Sequence, residues 1–325
     1  MPCSVTHTYF AKDVYDRLDK NIQKKINFKM LKTFAQGPDV LFFYNITNLK
    51  KGKEIREFGK YVQKNKTQDF FINLIKYITD NKLHNNKEVM SFLYGFIMHY
   101  SLDKTIHPFI FYKTGIFHKN KKETYKYNGL HLDMETYIDC YMIYNNEKSI
   151  PKKFKLHNFF YNVDEFSNDV INTIDYVFNT TFEKDNIGAI YYKSIKHMKT
   201  FTRLFRYDPL GTKKVFYKYI DFISLKRFLK KEPLSYCVHH KRKIHYLNLE
   251  KKKWNHPKDE NEIYNYSFIE LYSIALKDAI KIINSVNSVI YKKRSISDLK
   301  TIFPNLSYTS GKECTTKLKS KYFEF

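Results

Sequence analysis

The sequence predicts an all-α protein in which a multi-helix bundle is followed by a mainly helical C-terminal extension. Three observations lead to this fold class. Apolar residues recur at helical spacing through most of the 325 residues, whereas the alternating pattern of strands is sparse. Aromatic residues make up 18% of the chain, which excludes an extensively disordered protein. No stretch approaches the run of about eighteen apolar residues that a transmembrane helix needs.

Eight segments carry the helical pattern, and turn-forming residues separate them. Thr6 is predicted to cap the first helix, which puts His7 at a helix start. Pro108 is predicted near the end of the third helix, before a lysine-rich loop over residues 111–128. The irregular basic segment 235–257 has room for a short hairpin. The predicted helices cover residues 9–26, 70–78, 89–106, 131–144, 166–182, 187–205, 213–229 and 266–292.

A polar run that ends at Pro151 divides the chain into two predicted parts. Residues 1–150 form the first part, which contains the motifs described below. Residues 151–325 are predicted to be a helical continuation packed on it, with no function that the sequence specifies.

Charge is the second compositional signal, because the formal net charge is +24. Such a charge attracts anionic partners such as nucleic acid or an acidic lipid surface. A generic solvated basic surface is the alternative, since the lysines are spread along the whole chain. The first residues lack the pattern of a secretion signal, and the four cysteines lack Cys-x-x-Cys spacing. We therefore expect reduced thiols and a cytoplasmic location.

Residues 99–107 read H-Y-S-L-D-K-T-I-H and carry the most informative motif. On an α-helix, His99, Asp103 and His107 stand at i, i+4 and i+8, within about 80° of one another. The preceding residues 91–98 are apolar, so these side chains are predicted to point inward, where an unpaired charge is costly. Histidine and carboxylate donors on one buried face are typical of a metal site, and zinc favours this mixture.

A second pair, His131 and Glu135, repeats the i, i+4 spacing on another predicted helix. Single pairs of this kind arise by chance in a chain with 12 histidines and 33 acidic residues. Two ligand-bearing faces within thirty-seven residues are harder to explain as surface decoration. They predict a metal cluster between two helices.

In chain order, His7, the turn Gly37-Pro38-Asp39, the 99–107 series and His131 with Glu135 resemble one family pattern. The chain resembles the zinc-dependent phospholipase C family, whose relatives include the single-strand-specific zinc nucleases. The resemblance covers roughly residues 1–145. It implies an all-α fold that carries a cluster of zinc ions and hydrolyses phosphate esters.

The resemblance also implies a role for each matched residue. His99 and Asp103 hold one zinc with Asp39 beside it, and Asp103 bridges to a metal that His7 also binds. The remaining zinc is assigned to His107, His131 and Glu135. Two points stay open. The family has a further histidine ligand between the positions matched by Asp39 and His99, and either His84 or Gln63 could take that place here. The amine of Pro2 is a possible ligand of the third metal.

The function that follows is a zinc-dependent phosphodiesterase that binds two or three Zn²⁺ ions and acts on a phosphate ester, with a phospholipid headgroup as one substrate. Asp39 is the predicted general base because it stands on a turn rather than within a helix. Asp133 and Asp139 are predicted to orient metal-bound histidines. The alternatives are a nuclease on single-stranded nucleic acid and a non-catalytic, metal-stabilised protein that binds anions.

Overall fold

The computed structural model describes residues 4–46, 48, 50–148, 165–204, 208, 210–227, 233–238 and 246–324. Over these residues the regular structure is helical apart from one small hairpin, so the all-α prediction is confirmed. The helices are α1 (Ser4–Arg17), α2 (Lys20–Gln23), α3 (Phe28–Phe34), α4 (Lys53–Val62), α5 (Thr67–Asp80), α6 (Lys87–Thr114), α7 (Leu130–Glu147), α8 (Asn168–Phe182), α9 (Ile187–Leu204), α10 (Thr212–Arg227), α11 (Phe268–Ile290) and α12 (Leu299–Ile302).

Short elements connect the helices. Short 3-10 segments cover Gly37–Phe43, Leu83–Asn85, Lys122–Tyr127, Leu234–Cys237 and Ile296–Asp298. Strands β1 (Trp254–His256) and β2 (Asp259–Tyr264) pair antiparallel. This hairpin begins only at the end of the segment 235–257 in which a hairpin was anticipated, and it extends past it. Within the described residues, no helix is long and apolar enough to cross a membrane.

Helix α6 is the centre of the molecule. It is apolar on nearly all sides, and almost every side chain from Val89 to Ile110 is buried, as expected of a helix enclosed by others. The helix begins at Asn86, whose side chain accepts hydrogen bonds from the amides of Glu88 and Val89. Helices α1, α3, α7 and α11 pack around it, so its polar residues meet side chains from several parts of the sequence.

Two predictions about the first helix are wrong, one because of a tertiary contact and one because of a local cap. Helix α1 begins before Thr6, because the buried carboxylate of Asp139 accepts the amides of Val5 and Thr6 and the Thr6 hydroxyl. Thr6 is therefore not an N-cap, although His7 does lie in the first turns. The predicted helix 9–26 is divided at Asp19, whose side chain caps the separate helix α2.

Helix α6 also continues through Pro108 to Thr114, into the predicted loop 111–128. Proline cannot donate to the carbonyl of Lys104, but packing on both sides keeps the helix continuous. The rest of that predicted loop contains the 3-10 turn Lys122–Tyr127. The 99–107 motif is therefore held in the middle of a long helix rather than near its end.

Candidate metal centre

The 99–107 motif lies on one buried face of α6, as its spacing predicts. His99 is fully buried, and Asp103 and His107 are only 5% and 9% exposed to solvent. The turn Gly37–Phe43 brings Asp39 to this face, and α1 brings His7. Gly37 has a φ of +51°, and a side-chain carbon there would overlap the His99 ring, so glycine lets the turn approach α6 closely.

Four side chains form the first group, and their ligand atoms all lie within 4.8 Å of one another: His7, Asp39, His99 and Asp103. The two oxygens of Asp103 face different histidines. Oδ1 lies 3.2 Å from Nε2 of His7, and Oδ2 lies 3.0 Å from Nε2 of His99. The two imidazole rings are stacked with centroids 4.3 Å apart. One carboxylate therefore faces the Nε2 atoms of two stacked imidazoles, one with each oxygen, an arrangement that suits a carboxylate bridging two positions.

The second group joins α6 to α7 through His107, His131 and Glu135, again within 4.8 Å. Oε1 of Glu135 lies 3.1 Å from Nε2 of His131 and 3.7 Å from Nε2 of His107. Nδ1 of His107 lies 3.6 Å from Oδ2 of Asp103, so the two groups adjoin. The structure thus brings together all seven residues that were predicted as metal ligands, while their role as ligands stays a prediction.

Unpartnered buried atoms indicate that the first group fits a metal ion. Nε2 of His99 and Oδ2 of Asp103 are both buried, and neither has a hydrogen-bond partner in the described part of the chain, although they face each other at 3.0 Å. Unsatisfied buried polar atoms are rare in folded proteins. Donor atoms on one tetrahedral zinc lie about 3.3 Å apart, given bonds of about 2.0–2.1 Å. The observed spacings match that value.

Backbone carbonyls fix the orientation of two histidines. Nδ1 of His99 lies 3.0 Å from the carbonyl oxygen of Ala35, and Nδ1 of His107 lies 3.0 Å from that of Tyr308. A ring that donates from Nδ1 presents a free Nε2 lone pair, as metal-binding histidines do. Asp133 and Asp139 were predicted in this role, but backbone carbonyls hold these two rings. Asp139 instead holds the start of α1, and Asp133 accepts from the hydroxyl of Tyr246.

The charges of the two groups stabilise one another. Burial alone would raise the pKa of Asp103, but His99, His107 and His7 together lower it well below its usual value. The pKa of Glu135 is also held well below its usual value, against the effect of burial, by His131 and His107. Burial would lower the pKa of His107, yet Asp103 and Glu135 raise it to about 9. A proton on His107 therefore competes with a metal ion in the neutral pH range.

This competition predicts how the chelated protein responds to pH. A histidine whose pKa rises from about 6.5 to about 9 on folding stabilises the fold fully below pH 6.5 and no longer above pH 9. In the presence of chelator, we expect the free energy of unfolding to fall by on the order of 3 kcal/mol across this window. Urea unfolding at a series of pH values from 6 to 9.5 measures this free energy.

The same titrations should give a smaller change for chelated His107→Gln, because one titrating group is gone while His99, whose pKa burial would lower but Asp103 raises, remains. A wild-type stability that stays level between pH 6.5 and 9 would contradict the pKa of His107.

Access to the centre differs between its residues. A cavity of about 10 Å³ lies between the groups and is lined by His7, Asp103, His107 and Glu135, among others. That volume is close to the minimum that holds a single water molecule. By contrast, His131 keeps 26% of its side-chain exposure and Asp39 is half-buried. A substrate would meet the centre at these two more exposed residues.

The residues left as open alternatives lie in different places. Gln63 donates a short hydrogen bond from Nε2 to Oδ1 of Asp39, which places it directly beside the first group. His84 lies in the turn Leu83–Asn85, where its ring contacts Tyr291, and it belongs to neither of the groups found among the described residues. Pro2 lies outside the described residues.

A further set of supporting residues lies in the loop that follows α12, and no sequence pattern pointed to it. The Tyr308 carbonyl contacts His107, and the Tyr308 amide donates to the carbonyl of Gln63 at 2.9 Å. The hydroxyl of Ser307 donates to the same carbonyl at 3.3 Å. This loop therefore supports His107 in the second group and, through Gln63, Asp39 in the first.

Gly311 sets the position of that loop. Its φ is +61°, and a side-chain carbon there would lie 2.5 Å from the Lys104 carbonyl, the group that Pro108 leaves without its helical donor. Gly311→Ala is expected to lower the free energy of unfolding by about 1–3 kcal/mol. It should also weaken zinc binding, because the Tyr308 carbonyl would move away from His107.

Urea unfolding and zinc titration measure the two effects, with the exposed change Lys317→Ala as the control. Unchanged stability and zinc affinity in Gly311→Ala would show that the loop does not support the centre.

The fold and the donor set together define a class, a helical protein with two adjoining groups of histidines and carboxylates of the kind that can hold metal ions. The family model described as zinc dependent phospholipase C matches residues 6–184. Because this match covers more than half of the 325 residues, the chain belongs to the zinc-dependent phospholipase C family. The match confirms the sequence resemblance and extends it past residue 145. No curated protein and no solved structure matches the chain.

Proposed function

We propose that this chain is a phosphodiesterase that binds two or three zinc ions. It would hydrolyse a phospholipid-type substrate at the ester bond that joins the phosphorylated headgroup to the rest of the lipid. The single observation that carries the proposal is the adjoining pair of buried groups, joined where His107 approaches Asp103. His7, Asp39, His99 and Asp103 would hold zinc in the first group, and His107, His131 and Glu135 in the second. Membership of the zinc-dependent phospholipase C family supports a phosphate ester as the substrate.

Zinc, when bound, supplies Lewis acidity that favours ionisation of water and stabilises negative charge on phosphate oxygens. The protein residues have separate tasks. Asp39 is half-buried and accepts from Gln63, so it is held in place while one oxygen is available to take a proton from the attacking water. The carbonyls of Ala35 and Tyr308 keep the Nε2 atoms of His99 and His107 directed at the carboxylates.

The family match favours a phospholipid over nucleic acid, and no comparison supports the nuclease alternative. The non-catalytic alternative differs from the proposal in one measurable way. A zinc protein that only binds anions would release no phosphorylated headgroup from any lipid. The assay therefore uses purified, zinc-loaded protein with monomeric short-chain phosphatidylcholine and measures released phosphocholine and diacylglycerol.

Asp39→Asn is expected to lower kcat by about a hundredfold or more, because the variant cannot accept the proton of the attacking water. Zinc should remain largely bound, since His7, His99 and Asp103 are unchanged. Asp16→Asn, an exposed carboxylate paired with Lys12, is the matched control and should leave kcat unaltered. Wild-type protein that holds zinc but cleaves no phosphodiester, lipid or oligonucleotide, would overturn the proposed function.

A further inference from the structure

Helix α10 turns an apolar face toward solvent. At 100° per residue, five of its apolar side chains fall within an arc of about 120°. Each of them keeps at least half of its exposure: Val215 68%, Phe216 59%, Tyr219 65%, Phe222 59% and Ile223 50%. We call these five residues the exposed apolar face of α10. The preceding Leu210 is exposed as well, at 83%.

On its opposite side, α10 is attached to the neighbouring 3-10 segment through a buried carboxylate. Asp221 is buried, and its two carboxylate oxygens accept hydrogen bonds from the amides of Leu234 and Ser235 at 2.7 and 2.9 Å. A surface helix normally buries its apolar face and exposes its polar one. On α10, by contrast, five apolar side chains are exposed while the charged Asp221 is buried. A large exposed apolar surface of this kind marks a site of contact with a partner or a membrane.

Contacts connect this helix to the metal centre. The 3-10 turn Leu234–Cys237, which holds Asp221, packs on α7. The hydroxyl of Thr136 donates to the carbonyl of Tyr236 at 2.7 Å, and Thr136 directly follows Glu135. The helix that carries the exposed apolar face is therefore attached, through this turn, to α7, the helix that also carries His131 and Glu135.

The charge of this segment indicates which kind of surface α10 would bind. Residues 213–231 contain seven Lys and Arg residues and one Asp. Lys218 is exposed and lies just outside one edge of the apolar arc. A helix with aromatic and aliphatic residues on one face and lysines beside them is typical of segments that lie in the interface of an anionic bilayer. The net charge of +24 acts in the same direction.

We propose that α10 docks on an anionic phospholipid surface and inserts its exposed apolar face at the boundary between headgroups and acyl chains. The proposal rests on the proposed function in that a phospholipid substrate must reach the centre from a membrane. It assigns membrane binding to residues that lie beyond the 6–184 family match.

The test is co-sedimentation of the full-length, zinc-loaded protein with vesicles of phosphatidylcholine alone or mixed with phosphatidylserine. The variant Tyr219→Ser with Ile223→Ser removes two members of the exposed apolar face. Its matched control, Tyr144→Ser with Ile263→Ser, exchanges the same residue types at positions that are 56% and 57% exposed elsewhere. Hydrolysis of monomeric short-chain phosphatidylcholine is measured in parallel.

We expect wild type and control to bind mixed vesicles more tightly than neutral ones, and the α10 variant to lose at least about tenfold in vesicle affinity. Its activity on the monomeric lipid should be unchanged, because α10 lies outside the metal centre. Equal vesicle binding by the α10 variant and wild type would overturn the proposal. So would a wild-type dimer that the same variant converts to monomers, since a second copy would then cover the face.

The two proposals fail in different ways. Protein that cleaves monomeric lipid but does not bind vesicles would overturn the docking surface alone. Protein that binds mixed vesicles through α10 but cleaves no lipid would retain the docking surface and overturn the proposed hydrolytic function.

Discussion

Asp103→Asn is expected to abolish zinc binding in the first group and to lower kcat/KM by well over a hundredfold. The two carboxylate oxygens of Asp103 face His7 and His99 at 3.2 and 3.0 Å, and His107 approaches the same carboxylate at 3.6 Å. Changes that merely reorient a ligand cost about 10- to 100-fold. Losing a charge that three histidines share should cost more. The measurements are zinc content per chain and the rate on short-chain phosphatidylcholine.

Asparagine has nearly the volume of aspartate, so this change keeps the packing of α6 while removing the charge. Circular dichroism and the unfolding midpoint show whether the fold is retained. Asp16→Asn again provides the exposed control. An Asp103→Asn protein that is folded, zinc-replete and as active as wild type would show that the shared carboxylate is not part of the site.

Chelation is expected to lower the melting temperature by on the order of 10 °C at pH 8. A ligand present at a thousand times its Kd stabilises the folded state by about 4 kcal/mol, and each kcal/mol shifts Tm by a few degrees in a chain of this size. The chelated protein also retains buried, unpartnered atoms on His99 and Asp103. Differential scanning calorimetry with and without EDTA measures the change.

Adding zinc back should restore the original Tm, whereas adding magnesium should not, because histidine ligands favour zinc. The shift on chelation should nearly disappear in Asp103→Asn. A Tm that is unaffected by EDTA in wild type would mean that no bound metal contributes to stability.

The candidate ligands are predictable from the sequence because helical spacing is local. His99, Asp103 and His107 share a face of any α-helix, and His131 and Glu135 do so on the next. The positions of His7 and Asp39 relative to that face depend on packing between α1, the turn at Gly37 and α6. They were found through the order of motifs in the family resemblance and not through spacing.

Other features depend on contacts that no local pattern encodes. His107 and the Tyr308 carbonyl are 201 residues apart, and Asp139 holds the start of α1 from 133 residues away. The sequence predicts an amphipathic helix over 213–229, yet not that its apolar face points outward. That orientation follows from the hydrogen bonds between Asp221 and the turn at Leu234.

Zinc content per chain, measured by elemental analysis on untagged wild type, His99→Ala and His131→Ala, tests the central claim most directly. The two substitutions fall in different groups, so each should remove part of the metal. We predict two or three zinc ions in wild type and fewer in both variants. Wild-type protein without metal, or a zinc content that neither substitution changes, would contradict a zinc centre built from these histidines and carboxylates.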